Sequence, residues 1–116
     1  MLNQVTLVGR LTDDVEVIKT DNGKSYSIIT LAVQRCFKNN EGIYETDFIR
    51  CKLWNGIAEN SSQYCHKGDI VGIKGRIQIS KFDDKENNES KFLTEIIAEK
   101  VTFLSSKRIE KEDNER

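Results

Sequence analysis

Proline is absent from this sequence of 116 residues, and histidine occurs only once. The lack of proline excludes a proline-rich linker. The single histidine, His66, follows Cys65, but two adjacent residues cannot complete a tetrahedral metal site. The three cysteines, Cys36, Cys51 and Cys65, lack the C-x-x-C spacing of zinc and redox motifs and are predicted to be reduced thiols. We therefore expect neither a metal ion nor another cofactor.

Long apolar runs and enzyme signatures are also missing. No apolar segment is long enough to cross a bilayer, and residues 1–4 lack the basic and apolar stretches of a secretory signal. We therefore expect a cytoplasmic protein without a membrane partner. The sequence has no G-x-x-x-x-G-K-[ST], G-x-G-x-x-G or G-x-S-x-G motif, and His66 has no plausible nucleophile beside it. We predict that the protein is not an enzyme and has no catalytic residues.

The sequence also has no large excess of one charge, because it contains 18 Lys and Arg residues and 19 Asp and Glu residues, for a net charge of −1. Taken alone, this balance argues against a nucleic-acid-binding protein, so the distribution of the charges has to decide. Residues 107–116 carry four positive and four negative groups and are predicted to be a charged flexible tail. The preceding residues 1–106 are long enough for one compact domain.

Five segments have the β-branched residues and alternating pattern of strands: residues 3–10, 26–35, 46–54, 70–80 and 92–104. Residues 56–66, between the third and fourth segments, have helical spacing, with Asn55 as the expected N-cap and Gly68 as the expected end. Polar loops are expected at residues 38–42 and 83–90. This order predicts an all-β OB-fold, a five-stranded, partly open barrel with one helix between strands 3 and 4.

Alternation along the third strand separates polar from apolar side chains, because successive residues point to opposite faces. The outward set is Phe48, Arg50, Lys52 and Trp54, and the inward set is Ile49, Cys51 and Leu53. A single aromatic residue in a strand is more often part of the core. Here the inward positions are already filled, which favours exposed rings.

The fourth strand repeats the arrangement, with Val71, Ile73, Ile77 and Ile79 expected inside and Gly72, Lys74, Arg76 and Gln78 expected outside. Cations also neighbour a ring at two strand ends, in Arg35-Cys36-Phe37-Lys38 and in Lys81-Phe82. Alternation leaves the direction of Phe37 and Phe82 open, because the period breaks at loop edges. The glycines of the fourth strand are expected to relieve crowding where the barrel bends.

Rings interleaved with cations on one face are what a protein needs to bind a single nucleic-acid strand. Unpaired bases stack on rings, and Lys and Arg contact the phosphates. Exposed cations are most often only solvated surface, so their clustering carries the prediction. We interpret Tyr26, Tyr44, Tyr64, Phe92 and Phe103 as structural. The predicted DNA-binding set is Arg35, Phe37, Lys38, Phe48, Arg50, Lys52, Trp54, Lys74, Arg76, Lys81 and Phe82.

Several longer motifs resemble the bacterial single-stranded DNA-binding protein family over about residues 1–104. The resemblance implies an OB-fold, base stacking at Phe37, Phe48, Trp54 and Phe82, and cytosolic work in replication, recombination and repair. It also implies a homotetramer in which the first strand helps to pair subunits. The motifs are Met1 to Asp14, Leu31-Ala32-Val33-Gln34-Arg35, Thr46-Asp47-Phe48-Ile49, Trp54 with Ala58-Glu59-Asn60, Tyr64, Lys67-Gly68-Asp69, Gly75-Arg76-Ile77-Gln78 and Thr94-Glu95-Ile96.

The end of the sequence departs from the long members of that family. Those members continue into a tail with an acidic tip that contains Pro and Phe and recruits partners, whereas this sequence ends at Asp113-Asn114-Glu115-Arg116. This departure argues against partners recruited through the tail. Either the chain is a short paralogue linked to DNA uptake or mobile elements, or it is shortened. Two other functions stay open: an adaptor of replication restart, and an RNA-binding cold-shock-like protein, which lacks support because its aromatic strand motifs are missing.

Overall fold

The computed structural model of the protein describes residues 1–105, so residue 106 and the tail predicted at 107–116 lie outside the described part. The elements, in chain order, are β1 Val5–Leu11, β2 Ile18–Lys19, β3 Ser25–Lys38, β4 Tyr44–Trp54, α1 Asn55–Tyr64, β5 Ile70–Asp84 and β6 Glu89–Ser105. The five predicted strands correspond to β1, β3, β4, β5 and β6. The two-residue strand β2 was not predicted. The strands around both expected loops are longer than predicted. The first loop is residues 39–43, one position later than expected, and the second is shorter than expected, at residues 85–88.

The sheet is a closed ring in which β1, β5, β6, β4 and β3 follow one another and β3 pairs again with β1. All neighbours are antiparallel except β4 and β6, which run parallel through Cys51 opposite Ile96 and Lys52 opposite Ile97. The helix α1 connects β4 to β5, which are the third and fourth strands of the barrel. The predicted OB-fold is confirmed, and the ring is closed rather than partly open because Arg10 and Leu11 pair with β3.

The barrel interior holds the apolar side chains that alternation directs inward. Leu31 and Leu53 are fully buried, and Val71 and Ile73 are each 1% exposed. The helix closes one end of this core with Ala58, which is also fully buried. Because burial of such side chains is the main favourable term in folding, these positions carry most of the stability of the domain.

Two glycines allow neighbouring strands to approach closely: Gly9 of β1 beside β3, where the barrel closes, and Gly75 of β5 beside β6. A Cβ at Gly9 would lie 2.6 Å from the carbonyl oxygen of Ala32, and a Cβ at Gly75 would collide with the carbonyl oxygen of Ile97. The pairing of β5 with β6 also shifts in register at Gly75. The expectation that glycine relieves crowding in β5 therefore holds at Gly75, while Gly72 has ordinary contacts.

The predicted helix boundaries are wrong at both ends. Asn55 is the first helical residue, with φ of 49°, and its Oδ1 accepts a hydrogen bond from the Ser25 backbone N–H at 3.1 Å. Asn55 therefore ties the helix to β3 instead of capping it. The helix ends at Tyr64, and Gly68, with φ of 91°, lies in the next turn, which the Asp69 N–H closes by donating to the His66 carbonyl at 3.0 Å. The Gly68 N–H donates instead to the Leu11 carbonyl of β1 at 2.9 Å. Within residues 1–105, no helix has the length and apolar character needed to span a membrane.

Candidate nucleic-acid interface

Strand β4 exposes rings and cations on one side and buries apolar side chains on the other. Phe48 is 68% exposed, Arg50 is exposed, and Lys52 and Trp54 are half-buried. The alternating neighbours Cys51 and Leu53 are at most 1% exposed, and Ile49 packs against the core. The burial along β4 thus follows the alternation expected from the sequence. We call Phe48, Arg50, Lys52 and Trp54 the β4 row.

Strand β3 adds a third ring to this face. Tyr26 is paired with Trp54 across the two strands, and paired residues share a face. The ring centroids lie 5.6 Å apart with an angle of 50° between the planes. The Lys52 ammonium nitrogen is 4.9 Å from the Tyr26 centroid and 4.5 Å from the Trp54 centroid, which is cation–π distance. The sequence pattern led us to interpret Tyr26 as structural, because only the register of β3 against β4 brings it beside Trp54.

The basic face continues across β6 to β5. Ile97 is paired with Lys52 on one side and with Arg76 on the other, so the two cations point to the same side two strands apart. Neighbouring strands are about 4.8 Å apart, so the backbones that carry these cations are separated by ~10 Å. The Arg76 guanidinium donates a hydrogen bond to the side-chain oxygen of Gln78 at 2.6 Å. The structure therefore brings Arg76 together with the β4 row.

An acidic residue interrupts this face. Arg50, Lys52, Leu93 and Glu95 line one shallow depression between β4 and β6. The Glu95 carboxylate accepts a hydrogen bond from the Ser80 hydroxyl at 3.0 Å. A carboxylate beside two cations lowers the local positive potential, so phosphate binding is expected to be stronger toward the outer parts of the face.

The expected burial of Ile77 and Ile79 is wrong, because these side chains are 44% and 62% exposed. Strands β5 and β6 continue their pairing as far as Asp84 opposite Glu89, well beyond the barrel. This two-stranded extension, residues 77–96, is called the β5–β6 arm. Side chains of the arm keep the alternation, but the arm is too thin to enclose them.

The position of Lys74 differs from that of Arg76. Lys74 is exposed and is paired with Thr6 of β1 and with Lys100 of β6. Lys74 therefore lies two residues back along β5 from Arg76, in the next cross-strand row, which includes β1 and does not contain Lys52. Lys100 is an additional exposed cation in this place, which sequence reasoning missed because its strand neighbours are unknown without the register.

Lys81 and Phe82, predicted together, point to opposite sides of the β5–β6 arm. Phe82 is 48% exposed and is paired with Lys91. By alternation Phe82 shares the side of Arg76, while Lys81 is paired with the exposed ring of Phe92 on the other side. The structure therefore keeps Phe82 on the candidate face and separates Lys81 from it.

The β3–β4 hairpin forms a second extension, residues 34–46, called the β3–β4 arm. Phe37 on this arm is 84% exposed, and Lys38 lies with its ammonium nitrogen 5.6 Å from the Tyr44 ring centroid. Arg35 is engaged by two carboxylates, since it donates to both oxygens of Asp47 at 2.9 and 3.0 Å and to Glu45 at 2.6 Å. The hydrogen bonds and positive charge of Arg35 lower the pKa of Asp47 below its usual range. A phosphate would have to displace these carboxylates to bind Arg35.

The three cysteines differ in burial: Cys51 and Cys65 are buried, and Cys36 is exposed. Burial raises the pKa of the Cys51 thiol to about 11, and burial together with the charge of Asp69 raises that of Cys65 to about 11. Cys36 is exposed on the β3–β4 arm. In the part of the chain that the structure describes, no group of three or more His, Cys, Asp or Glu side chains could hold a metal ion.

The sequence is similar to several known proteins. It is 44% identical over 111 residues to Single-stranded DNA-binding protein B of Bacillus subtilis (strain 168), covering 96% of this chain and 97% of the relative. It is 48% identical over 104 residues to the Single-stranded DNA-binding protein of Halalkalibacterium halodurans, covering 90% of this chain and 61% of that relative. Residues 2–104 match the Single-strand binding protein family. A match over nearly the whole described domain shows that the chain belongs to the single-strand binding protein family.

Proposed function

We propose that this protein binds single-stranded DNA with little sequence preference, by stacking bases on rings and holding phosphates with cations. The observation that carries this proposal is the β4 row, in which two exposed or half-exposed rings flank Arg50 and Lys52 on one strand face. Every base offers a π-face, so stacking tolerates sequence, while cations follow the backbone. The names of the relatives and the family membership support the same ligand.

The two arms suggest where the strand runs. Strands β4 and β6 are parallel neighbours, and the turns at 39–43 and 85–88 each come just before one of them. Both arms therefore extend from the same end of the barrel and flank the depression beside Arg50. A strand that crosses the β4 row would pass between the arms, where Phe37 and Phe82 supply further rings.

The remaining predicted residues have unequal support in this proposal. Arg76 extends the β4 row, and Lys38 and Lys74 are exposed cations further out along the same path. Arg35 would contribute after it leaves its carboxylates, and Lys81 points away from the path. The core of the proposed site is thus the β4 row with Arg76 and Phe82.

We also propose that the protein works as a homotetramer in the cytoplasm, without catalytic activity, in replication, recombination, repair or DNA uptake. Two observations support the tetramer: the chain belongs to this family, and some apolar side chains of its strands point outward and are exposed. Val8 of β1 is 54% exposed and Leu104 of β6 is 51% exposed, and apolar patches of this kind are typical of subunit contacts. Sedimentation equilibrium would test the tetramer, and a monomer at micromolar concentration would contradict it.

The direct test of the function is fluorescence anisotropy with labelled oligo-dT and with duplex DNA of equal length. We expect tight binding of oligo-dT at low salt and much weaker binding of the duplex. The slope of log affinity against log salt should be about −0.7 per phosphate contacted. Equal, weak binding of both DNAs would contradict the proposal and would favour an adaptor that acts through protein contacts.

A further inference from the structure

The cluster formed by Tyr26, Lys52 and Trp54 goes beyond the predicted set of DNA-binding residues. Tyr26 lies on the outward face of β3, because its neighbours Ser25 and Ser27 are buried at 4% and 0% exposure. The ring is half-buried and inclined at 50° to Trp54, so the two rings form the walls of an open notch rather than a closed stack. The Lys52 ammonium group lies within cation–π distance of both walls.

We propose that Tyr26 and Trp54 form one nucleotide subsite, that Lys52 occupies it in the DNA-free protein, and that Lys52 moves to a phosphate when a base enters. This inference rests on the proposed function and assigns Tyr26 as a further base-contacting ring. A base cannot stack on the covered side of Trp54 while the ammonium group remains 4.5 Å from its centroid. The exchange is favourable because a cation–π contact at an accessible ring is weaker than base stacking.

The surroundings of the notch fit a nucleotide. Ile18 of β2 is paired with Tyr26 and is 43% exposed, and Ile28 is paired with Lys52 and is 44% exposed. These side chains extend the apolar floor beyond the two rings. A base can stack on the aromatic walls above this apolar floor, and the long side chain of Lys52 can reach the phosphate attached to that base. The strand β2, missed in the sequence, thereby gains a role at the edge of the subsite.

The exchange can be observed directly by NMR of the lysine side chains. Protons that lie over aromatic faces are shifted upfield, so the Hε signal of Lys52 should stand apart from those of other lysines in the DNA-free protein. Saturation with oligo-dT should return this signal to the range of exposed lysines. Lys52→Arg identifies the signal by its loss. A Lys52 signal that keeps its upfield shift while Trp54 emission is fully quenched would overturn the exchange.

Substitutions of Tyr26 test the second wall. Tyr26→Leu should weaken oligo-dT binding about fivefold or more, the lower end of one stacked base, while Tyr26→Phe should bind within about twofold of the original. Tyr64→Leu is the matched control, since Tyr64 is an exposed ring on the helix and outside the proposed path. Circular dichroism checks that each variant is folded. Unchanged affinity of folded Tyr26→Leu would overturn the assignment.

A charge substitution tests where Lys52 goes. Lys52→Gln should reduce the salt slope of binding by about 0.7, the value for one phosphate contact on a single strand. An unchanged slope would show that Lys52 reaches no phosphate and would overturn that step. Failure of the proposed function looks different, because the unmodified protein would then bind oligo-dT as weakly as duplex DNA, and this inference would fall with it.

Discussion

The two halves of β5 have the same alternation and opposite burial. Val71 and Ile73 in the barrel are each 1% exposed, whereas Ile77 and Ile79 on the same side of the strand are 44% and 62% exposed in the arm. In the barrel, β1 and β6 flank β5 and the ring encloses the inward side chains. In the arm, β6 is the one strand among residues 1–105 that pairs with β5, and the Asn3 side chain bonds the backbone of Ile77 where the arm begins. Alternation therefore decides the side to which a residue points, and the number of neighbouring strands decides whether that side is covered.

The cations of the barrel wall and of the β3–β4 arm differ in a similar way. Lys52 lies over two rings, a weak contact that a ligand can replace. Arg35 instead donates three hydrogen bonds to two carboxylates. Charge-assisted bonds of this bidentate kind are stronger than neutral ones. Lys52 on the barrel wall is thus available for a phosphate, whereas Arg35 on the arm is engaged by Asp47 and Glu45.

We expect the largest effect when an isoleucine is truncated in each half of β5 and the losses of stability are compared. Ile73→Ala should lower the free energy of unfolding by about 2–5 kcal/mol, because it removes a buried side chain and leaves a cavity. Ile79→Ala should cost no more than about 0.5 kcal/mol, as is usual for exposed positions. Urea denaturation measures both. Equal losses would show that the arm is covered in solution, as subunit assembly would do.

The next effect separates a ring that binds from a ring that stabilises. Trp54→Ala should weaken oligo-dT binding by about 1–3 kcal/mol, the usual cost of one stacked base. The urea midpoint should change little, because Trp54 points away from the core that Leu53 fills. Phe92→Ala, on the other side of the β5–β6 arm, is the matched control and should retain its affinity. Unfolding of Trp54→Ala would contradict the assignment of this ring to the surface.

Freeing Arg35 from Asp47 should have a smaller effect. Asp47→Asn removes the carboxylate that accepts two of the three hydrogen bonds from Arg35, at 2.9 and 3.0 Å, and leaves Glu45 as its one carboxylate partner, so a phosphate displaces fewer bonds to reach the guanidinium. We expect oligo-dT to bind about two- to fivefold more tightly at low salt, in keeping with the strength of an exposed ion pair. Anisotropy titrations at two salt concentrations measure the change. Weaker binding would indicate that the Arg35–Asp47 pair supports the shape of the arm.

The smallest effect near neutral pH concerns the thiols. The pKa values of Cys51 and Cys65 are raised from 9.0 to about 11, so the folded state favours their protonated forms. Stability from this source is fully present below pH 9 and should fall as pH rises toward 11. Melting temperatures should therefore be flat from pH 7 to 8.5 and decline above pH 9. A thiol reagent at pH 8 should modify Cys36 rapidly, and rapid modification of all three cysteines would contradict the burial.

Local patterns were sufficient for the fold and for the β4 row. Alternation in Phe48 to Trp54 has the correct period, and the inward neighbours Cys51 and Leu53 are apolar, so the two faces can be distinguished from the sequence. The order of strands and helix then predicts the barrel. Whether Phe48 and Trp54 contact DNA stays a prediction until binding is measured.

Nonlocal relations account for what was missed. The pairing of Tyr26 with Trp54 depends on register, and the engagement of Arg35 depends on carboxylates 10 and 12 residues away. The exposure of Ile79 depends on where neighbouring strands end. Asn55 has the residue type of an N-cap, but its side chain is used by the backbone of β3. Each of these outcomes is decided by contacts between segments, which a local pattern does not contain.

The most direct measurement of the central claim uses the only tryptophan, Trp54. If the β4 row stacks bases, titration with oligo-dT should strongly quench the Trp54 emission at low salt, and high salt should restore it. Duplex DNA of the same length should leave the emission nearly unchanged. Full emission at oligo-dT concentrations that saturate the protein by anisotropy would show that bases do not reach this ring and would contradict the proposed binding face.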